Sequence, residues 1–234
     1  MTGPTVVPSE TRTLITGITE GWDSASATLR LWHRDGGGWS PDGTPWSGVL
    51  GHAGAAWGRG LHGDGAPAGH AGPVKAEGDG RSPAGAFGLR GAYGYAAASP
   101  GGALPYTPVD ASWHCVDDPA SRQYGRIVDA RTVAMDWSSS EPMRRSDALY
   151  TWVVDIAHNP GAVRGGGSCI FFHVWHGPKA GTAGCTAMPR PAIERLIAAL
   201  DPADRPVYVL LPREEYAALA PAWHLPPPDA APAK

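Results

Sequence analysis

Residues 181–188 (GTAGCTAM) place one cysteine, Cys185, directly after a glycine, between a stretch typical of a strand and one typical of a helix. Twelve residues earlier, His173 follows the apolar run IFF. A thiol becomes a nucleophile near neutral pH when a base takes its proton, and a neighbouring histidine is a common base. The pattern therefore predicts acyl transfer by Cys185, with His173 as general base.

Three neighbours of this pair receive supporting roles. A backbone carbonyl near the strand end, that of Val174, is expected to orient the imidazole in place of a carboxylate. The backbone N–H groups of Gly184 and Cys185 are the expected oxyanion donors, because Gly184 has no side chain to obstruct the substrate. The Thr182 hydroxyl either hydrogen-bonds near the nucleophile or stabilises the turn.

His176 is the rival base. On a regular strand, residues 173 and 176 point to opposite faces, so only one of them can meet Cys185. His173 is preferred because it lies within the apolar strand, and His176 is assigned to substrate binding. A zinc site of His173, His176 and Cys185 is an alternative, but this spacing would need a helix or a turn where the sequence predicts a strand. No metal and no cofactor are therefore assigned.

Two further groups are candidates for substrate binding. Arg144 and Arg145 precede a predicted strand at residues 150–157, and an arginine fork suits a substrate carboxylate; a solvated surface pair is the alternative. His158 and Asn159 follow that strand and are expected at the rim of a cleft, or else as loop caps.

Composition narrows the class of protein. The chain has 234 residues and a net charge of −3, without the basic stripe typical of nucleic-acid binding. No apolar run reaches the roughly 18 residues that a membrane span needs. The 32 glycines and 24 prolines predict a loop-rich β protein. No leader peptide is evident in the first 13 residues, which indicates a cytoplasmic protein or a leader that has been removed.

Three cysteines leave one unpaired after any pairing. Cys115 and Cys169 either form a disulfide, which leaves Cys185 free, or are small buried hydrophobes.

The predicted elements are mostly strands. Residues 12–18, 27–33, 150–157, 168–175 and 206–211 are rich in β-branched and aromatic residues. Residues 34–38 are typical of a hairpin turn, and residues 40–85 of short strands with long loops. Ile193, Leu196, Ile197 and Leu200 form one stripe of a helix, and residues 213–220 suggest a helical turn. We expect a flexible N-terminus (1–11), one domain (12–225) and a disordered Pro/Ala-rich tail (226–234).

A second motif occupies residues 75–87 (KAEGDGRSPAGAF). Its turn chemistry alone would also fit a decorated hairpin. Together with FFHVW and TAGCTAM, it resembles the catalytic domain of the L,D-transpeptidases, the YkuD-like family, over about residues 13–211. Ala183 stands where the commonest family pattern has a histidine, so the chain is more similar to the branch that has Thr-Ala-Gly-Cys.

This resemblance implies a mainly β, YkuD-like sandwich with a few short helices. It also implies a secreted enzyme of the periplasm or cell wall that acts on peptidoglycan stem peptides. Cys185 would attack the third stem residue, release D-alanine and form a thioester, which an amine of a second stem resolves as a 3→3 cross-link. Water as acceptor would give a carboxypeptidase or endopeptidase. Carbapenems would acylate the same cysteine. A non-catalytic wall-binding module remains the alternative from a different class.

Overall fold

The structure is a computed structural model that describes residues 6–36 and 38–228. Over these residues the protein is mainly β, as the sequence predicts. The strands are β1 (Thr13–Thr19), β2 (Ser26–Arg34), β3 (Trp39–Val49), β4 (Ala55–Trp57), β5 (Arg59–Gly60), β6 (Gly63–Asp64), β7 (Ser82–Gly94), β8 (Tyr106–Pro108), β9 (Trp113–Cys115), β10 (Ile127–Asp129), β11 (Glu141–Pro142), β12 (Trp152–Ile156), β13 (Phe171–Val174), β14 (Thr186–Met188) and β15 (Val207–Pro212). The helices are α1 (Arg190–Ala198) and α2 (Arg213–Trp223).

One mixed sheet organises the chain. Its strand order is β12-β13-β14-β3-β2-β1-β15-β7-β4, and β12 also pairs with β7, so the sheet closes on itself. The β1–β15 and β13–β14 pairs are parallel, which requires the chain to cross over between them. The crossover that joins β13 to β14 is the segment that carries Cys185.

Apolar side chains form separate cores on the two faces of this sheet. One cluster packs the buried stripe of α1 (Ile193, Leu196 and Ile197) against strand residues such as Phe172 and Tyr208. A second cluster packs α2 through Tyr216, Leu219 and Trp223 against β1 and β15. Strand β15 is buried along its whole length, which explains its continuous apolar sequence.

A small sheet of strands β10, β9 and β11, in that order, lies outside the main sheet. It pairs Glu141 of β11 with Cys115 of β9. Cys115 forms a disulfide with Cys169, whose Cα lies 5.8 Å away just before β13. The bridged alternative for the cysteines is therefore the one observed, and it fastens the small sheet beside β13.

Most predicted elements are present, but two long strands differ from expectation. Strand β7 spans 13 residues and begins inside the glycine-rich motif, and β3 spans 11 residues where short strands and loops were predicted. Helix α2 continues to Trp223, beyond the predicted turn. Strand β7 gains its hydrogen bonds from the distant strands β15 and β12, which local sequence does not reveal. Strand β3 pairs with β2 through the predicted hairpin turn at residues 34–38, and this pairing extends it further than its own sequence indicates.

The described ends of the chain pack against the α2 core. Residues 1–5 and 229–234, which include parts of the predicted flexible N-terminus and tail, lie outside the described residues. Val7 is fully buried against the α2 core. The Pro226 carbonyl accepts a hydrogen bond from the buried Tyr216 hydroxyl at 2.8 Å, which anchors the start of the tail. No helix within the described part of the chain is long and apolar enough to cross a membrane.

Candidate active site

A cleft of about 590 Å³ opens beside the end of β13. Its walls come from five parts of the chain: β13 and the residues just before it, the cysteine turn, the small sheet, the segment between β11 and β12, and the start of the glycine-rich motif. The chemically important lining residues are Lys75, Glu77, Glu141, Arg145, Tyr150, His173, His176, Thr182, Gly184 and Cys185. Residues far apart in sequence therefore share one cavity.

Sheet register brings Cys185 and His173 to the same face. In the parallel β13–β14 pair, His173 lies beside Ala187. Side chains alternate along a strand, so Cys185, two residues before Ala187, projects to the face that His173 occupies. Both residues line the cleft, as the sequence predicts for a nucleophile and its base.

Two hydroxyls fix the turn that presents the cysteine. Thr182 Oγ1 donates to the Cys185 carbonyl at 2.7 Å and accepts from the Gly184 N–H at 3.1 Å. Ser82 Oγ donates to the same Cys185 carbonyl at 3.0 Å and accepts from the Gly51 N–H at 2.9 Å. Thr182 therefore hydrogen-bonds next to the nucleophile and stabilises the turn at the same time, so the two predicted roles are combined. The bond from Ser82 joins the two sequence motifs directly at the nucleophile.

The glycine-rich motif supports this contact through an internal network. Asp79 Oδ1 pairs with the buried Lys75 ammonium at 2.5 Å and accepts from the Arg81 N–H at 2.9 Å. Arg81 in turn donates to the Trp22 and Ala55 carbonyls. A Cβ added at Gly184 would lie 3.0 Å from the Arg81 carbonyl oxygen, so the motif and the turn fit closely only with glycine there. Charged residues of the motif therefore brace the turn.

The Cys185 thiol is a neutral, buried group in this state. Only 7% of the residue is exposed, and burial raises the pKa of the thiol, with a further increase from the charge of Glu141. The sulfur accepts from the Phe171 N–H at 3.3 Å and donates to the Cys169 carbonyl at 3.4 Å. A proton acceptor is therefore required before the sulfur can attack a carbonyl.

His173 has the form that such an acceptor needs. Its Nδ1 lies 2.7 Å from the Val174 carbonyl, which can only accept, so Nδ1 carries the proton and Nε2 presents its lone pair. Desolvation lowers the pKa of His173 to about 4, so the ring is neutral near pH 7. The predicted orienting carbonyl is present. Among the described residues, no hydrogen bond yet joins this ring to Cys185.

The two predicted oxyanion donors differ in whether their N–H group already has an acceptor. The Gly184 N–H already donates to Thr182 Oγ1. In this state the Gly184 N–H is therefore already used, and it would have to leave Thr182 to act as the predicted oxyanion donor. The Cys185 N–H donates to none of the described residues, so it is the available group of the predicted pair.

Two predicted substrate-binding residues, His176 and Arg145, line the cleft, but only His176 is not already bound to a carboxylate. His176 is exposed just after β13 and lines the cleft. Arg145 also lines it, but its guanidinium forms three hydrogen bonds to Asp147, from Nε at 3.0 and 3.2 Å and from Nη2 at 2.9 Å, and lies 3.7 Å from Glu141. A substrate carboxylate would have to compete with Asp147 for that fork.

Two other candidates do not reach the cleft. Arg144 stacks on Tyr95 at 4.3 Å from the ring centre and is absent from the cleft lining. His158 is buried, and both of its ring nitrogens are engaged, Nε2 with the Gly166 carbonyl at 3.0 Å and Nδ1 with the Arg59 N–H at 3.3 Å. Asn159 bonds the Val163 and Gly167 carbonyls within its own loop, so the loop-capping alternative describes both residues.

Tyr150 and Glu141 belong to the site although sequence reasoning did not select them. The buried Tyr150 hydroxyl donates to Glu141 Oε1, and its ring lies edge-on to His173 at 5.2 Å between centres. Tyr150 begins the predicted strand at residues 150–157, which was the only signal for it. Nothing near Glu141 in the sequence indicates that it faces Cys185.

Nothing in the described ranges supports the zinc alternative, since these residues contain no cluster of three or more His, Cys, Asp or Glu side chains arranged to hold a metal. Comparisons with protein-family profiles, with curated proteins and with solved structures returned no match for this chain.

Proposed function

We propose that this protein is a cysteine acyltransferase of the L,D-transpeptidase type, which forms 3→3 cross-links between peptidoglycan stem peptides. The observation that carries the proposal is the hydrogen bond from Ser82 to the Cys185 carbonyl. The two motifs behind the resemblance lie about a hundred residues apart and meet at the backbone carbonyl of Cys185. A decorated hairpin unrelated to the cysteine would have no reason to do so.

The site residues fit the two halves of such a reaction. His173 Nε2 takes the Cys185 proton, and the sulfur attacks the carbonyl carbon of the third stem residue. The Cys185 N–H donates to the oxyanion as the C=O bond opens. The tetrahedral intermediate then expels the amine of D-alanine, which receives the proton from His173. The acyl group remains as a thioester.

In the second half, an amine of another stem attacks the thioester. Neutral His173 takes a proton from this amine, a new amide bond forms, and the C–S bond breaks to regenerate the thiol. Water in place of the amine gives the hydrolytic alternative. The cleft contains both Glu77 and Arg145, and a peptide carboxylate would bind Arg145 in exchange for Asp147.

The coarse features of the chain are consistent with this assignment. We propose that the closed, mainly β sheet is a form of the YkuD-like fold. We also propose a location in the periplasm or cell wall, because the Cys115–Cys169 disulfide is typical of oxidising compartments. Carbapenems are proposed as covalent inhibitors because they acylate the same nucleophile.

Intact-protein and product mass spectrometry after incubation with a disaccharide tetrapeptide tests the proposal. We expect a thioester adduct with loss of D-alanine, followed by a 3→3 dimer. The Cys185→Ala variant should form neither product, nor a carbapenem adduct. Trimmed tripeptide without dimer would favour the hydrolase. An adduct that persists in Cys185→Ala would contradict the assignment of the nucleophile.

A further inference from the structure

Glu77, in the glycine-rich motif, is a cleft carboxylate that two buried hydroxyls hold in place. Its Oε2 accepts a hydrogen bond from the Ser168 hydroxyl at 2.7 Å and another from the Tyr124 hydroxyl. Its backbone N–H donates to the Gly165 carbonyl at 2.9 Å. Oε1 accepts from none of the described residues, and the side chain lines the cleft. One oxygen is thus anchored, and the other is available to a ligand.

The lysine and the arginine of the cleft are already paired with other carboxylates. Lys75 lies 2.5 Å from Asp79, and Arg145 lies 2.9 Å from Asp147. Glu77 itself forms no salt bridge within residues 6–36 and 38–228. A ligand that covers an unpaired carboxylate removes its water, which costs free energy unless the ligand brings an opposite charge. The cleft therefore favours a substrate with a cation at this point.

Glu77 and the Cys185 sulfur contact successive residues of one cleft wall. Ser168 binds the carboxylate, and the carbonyl of the next residue, Cys169, accepts a hydrogen bond from the Cys185 thiol at 3.4 Å. The disulfide from Cys169 to Cys115 fastens this segment to the small sheet. A substrate residue whose carbonyl carbon lies at the sulfur can therefore extend a long side chain along this wall toward Glu77.

The proposed reaction supplies a cation of that kind. A 3→3 cross-link joins the side-chain amine of one third stem residue to the carbonyl of another, so the donor stem carries the same amine. In the acceptor this amine must be neutral when it attacks the thioester. In the donor it takes no part in the reaction and stays protonated near pH 7. An ammonium held by a carboxylate therefore suits the donor and would hinder the acceptor.

We propose that Glu77 is a specificity-determining residue that binds the side-chain ammonium of the donor's third residue through Oε1. It thereby restricts acylation to stems with a free amine at that residue. The inference rests on the proposed function for the identity of the donor. The contact is a charge-assisted hydrogen bond from the ammonium to the carboxylate, and no covalent bond forms or breaks.

Binding of three synthetic stem peptides to the Cys185→Ala protein tests this site. The peptides are L-Ala-γ-D-Glu-L-Lys-D-Ala with a free, an Nε-acetylated or an Nε-succinylated lysine, so that the third side chain is cationic, neutral or anionic. Isothermal titration calorimetry measures each dissociation constant for Cys185→Ala alone and with Glu77→Gln or Asp117→Asn added. Asp117 is the matched control, because it is a second cleft carboxylate that bonds a serine hydroxyl and forms no salt bridge among the described residues.

Cys185→Ala should bind the free-amine peptide about tenfold or more tightly than the acetylated one, because acetylation removes a charge-assisted hydrogen bond. The succinylated peptide should bind more weakly still. With Glu77→Gln added, the free-amine and acetylated peptides should bind within about twofold of each other. With Asp117→Asn added, a preference of about fivefold or more for the free amine should remain.

Equal affinities of Cys185→Ala for the free-amine and acetylated peptides, or no detectable binding, would overturn the inference. An unchanged preference with Glu77→Gln would overturn it too. An equal loss with Asp117→Asn would do the same, because it would assign the preference to the overall charge of the cleft. If the wild type forms no thioester while the preference persists, the acyl-transfer proposal fails and the ammonium site at Glu77 stands.

The rate of thioester formation by the wild type separates the donor from the acceptor, because this step precedes the acceptor's attack. The free-amine peptide should acylate Cys185 with a kcat/KM about tenfold or more above that of the acetylated peptide. Equal values would overturn the assignment of the ammonium to the donor.

Carbodiimide coupling decides the matter if Glu77→Gln does not fold. The reagent activates a carboxylate, and a lysine amine held against it then forms an amide. With Cys185→Ala and the free-amine peptide, mass spectrometry of the digested protein should find the new amide at Glu77. An amide at Asp117 or Glu141 instead would contradict the proposed site.

Discussion

His173 lies within strand β13, and His158 follows the neighbouring antiparallel strand β12 by two residues; both are buried. Desolvation lowers the pKa of His173 to about 4 and that of His158 to about 3. Each ring has one nitrogen bonded to a backbone carbonyl. They differ at the second nitrogen. In His158 it accepts from the Arg59 N–H, whereas in His173 it forms no hydrogen bond within the described residues and the ring lines the cleft.

A histidine pKa that desolvation lowers therefore shows only that the ring is buried. It does not show that the ring is a catalytic base. Both imidazoles are neutral at pH 7, and the more strongly shifted one is bonded on both sides inside a loop. A free nitrogen that shares a cleft with a thiol is the feature that permits chemistry. Each of the following experiments tests whether this distinction holds.

The same substitution at His173 and at His158 should give the largest difference in acylation rate. Glutamine in place of either histidine can keep the hydrogen bonds but cannot act as a base. We expect His173→Gln to slow acylation by a carbapenem by about 100-fold or more, because general-base catalysis is removed. His158→Gln should stay within about threefold. Stopped-flow kinetics measure the acylation rates of both variants. An equal decrease in the two rates would contradict a catalytic role for His173 that His158 lacks.

Acid should destabilise the protein through both histidines. Each has a folded pKa below the ordinary histidine value of 6.5, so the unfolded chain binds more protons below that pH. Their stabilisation is complete above pH 6.5 and is lost as the pH falls, by about 1.4 kcal/mol per unit for each ring, down to its folded pKa.

Urea unfolding at pH 7, 6 and 5 measures this slope. In each glutamine variant, the dependence of the unfolding free energy on pH should be weaker than in wild type by the contribution of the one histidine that is replaced. The subtraction from wild type removes the contribution of Asp155, whose pKa burial raises to about 6 and which acts in the opposite direction. A variant slope equal to that of wild type would mean that the replaced ring titrates normally.

Loss of a hydrogen bond that positions the Cys185 turn should slow acylation less than loss of the His173 base does. Thr182→Val removes the acceptor of the Gly184 N–H and one donor to the Cys185 carbonyl. We expect acylation to slow by about tenfold and stability to fall by about 1–3 kcal/mol. Thr186→Val, on the adjacent strand, is a control for a lost buried hydroxyl, because Thr186 bonds Tyr208 instead. An equal effect on acylation from both variants would assign the loss to general destabilisation.

The smallest effect should come from the exposed histidine. His176 lies in solvent after β13, so His176→Ala should change carbapenem acylation by less than about threefold. Arg144→Ala, at a residue outside the cleft, provides the baseline. A loss in His176→Ala that approaches that of His173→Gln would move the base to His176.

Local patterns predicted much of the framework. Strands β1, β2, β12, β13 and β15 and helix α1 follow from apolar periodicity, and their observed bounds differ from the predicted ones by a few residues at most. Strand β7 escaped prediction because its glycines and alanines carry little strand preference. Its small residues are required by close neighbours: a Cβ at Gly85 would lie 2.0 Å from the His62 ring. Only the folded packing reveals that requirement.

The residues of the site also divide into those that local sequence predicted and those that only the folded structure reveals. Cys185, His173 and the Val174 carbonyl were predicted because thiol, imidazole and strand end stand close together in the sequence. Glu141 was not predicted, because a disulfide and a two-residue strand bring it to the cleft. His158 was misplaced at the cleft rim because a residue that follows a strand can turn toward the cleft or into the loop, and the sequence does not specify which.

The sequence alone determined which atoms are able to react, since residue type sets whether a group can be a nucleophile or a base. Tertiary structure decided which of them meet and in what protonation state. Sheet closure, strand register and the Cys115–Cys169 bridge place one thiol, one imidazole with a free nitrogen and one tyrosine–carboxylate pair in a single cleft. Burial then sets their pKa values, and burial depends on contacts between segments far apart along the chain.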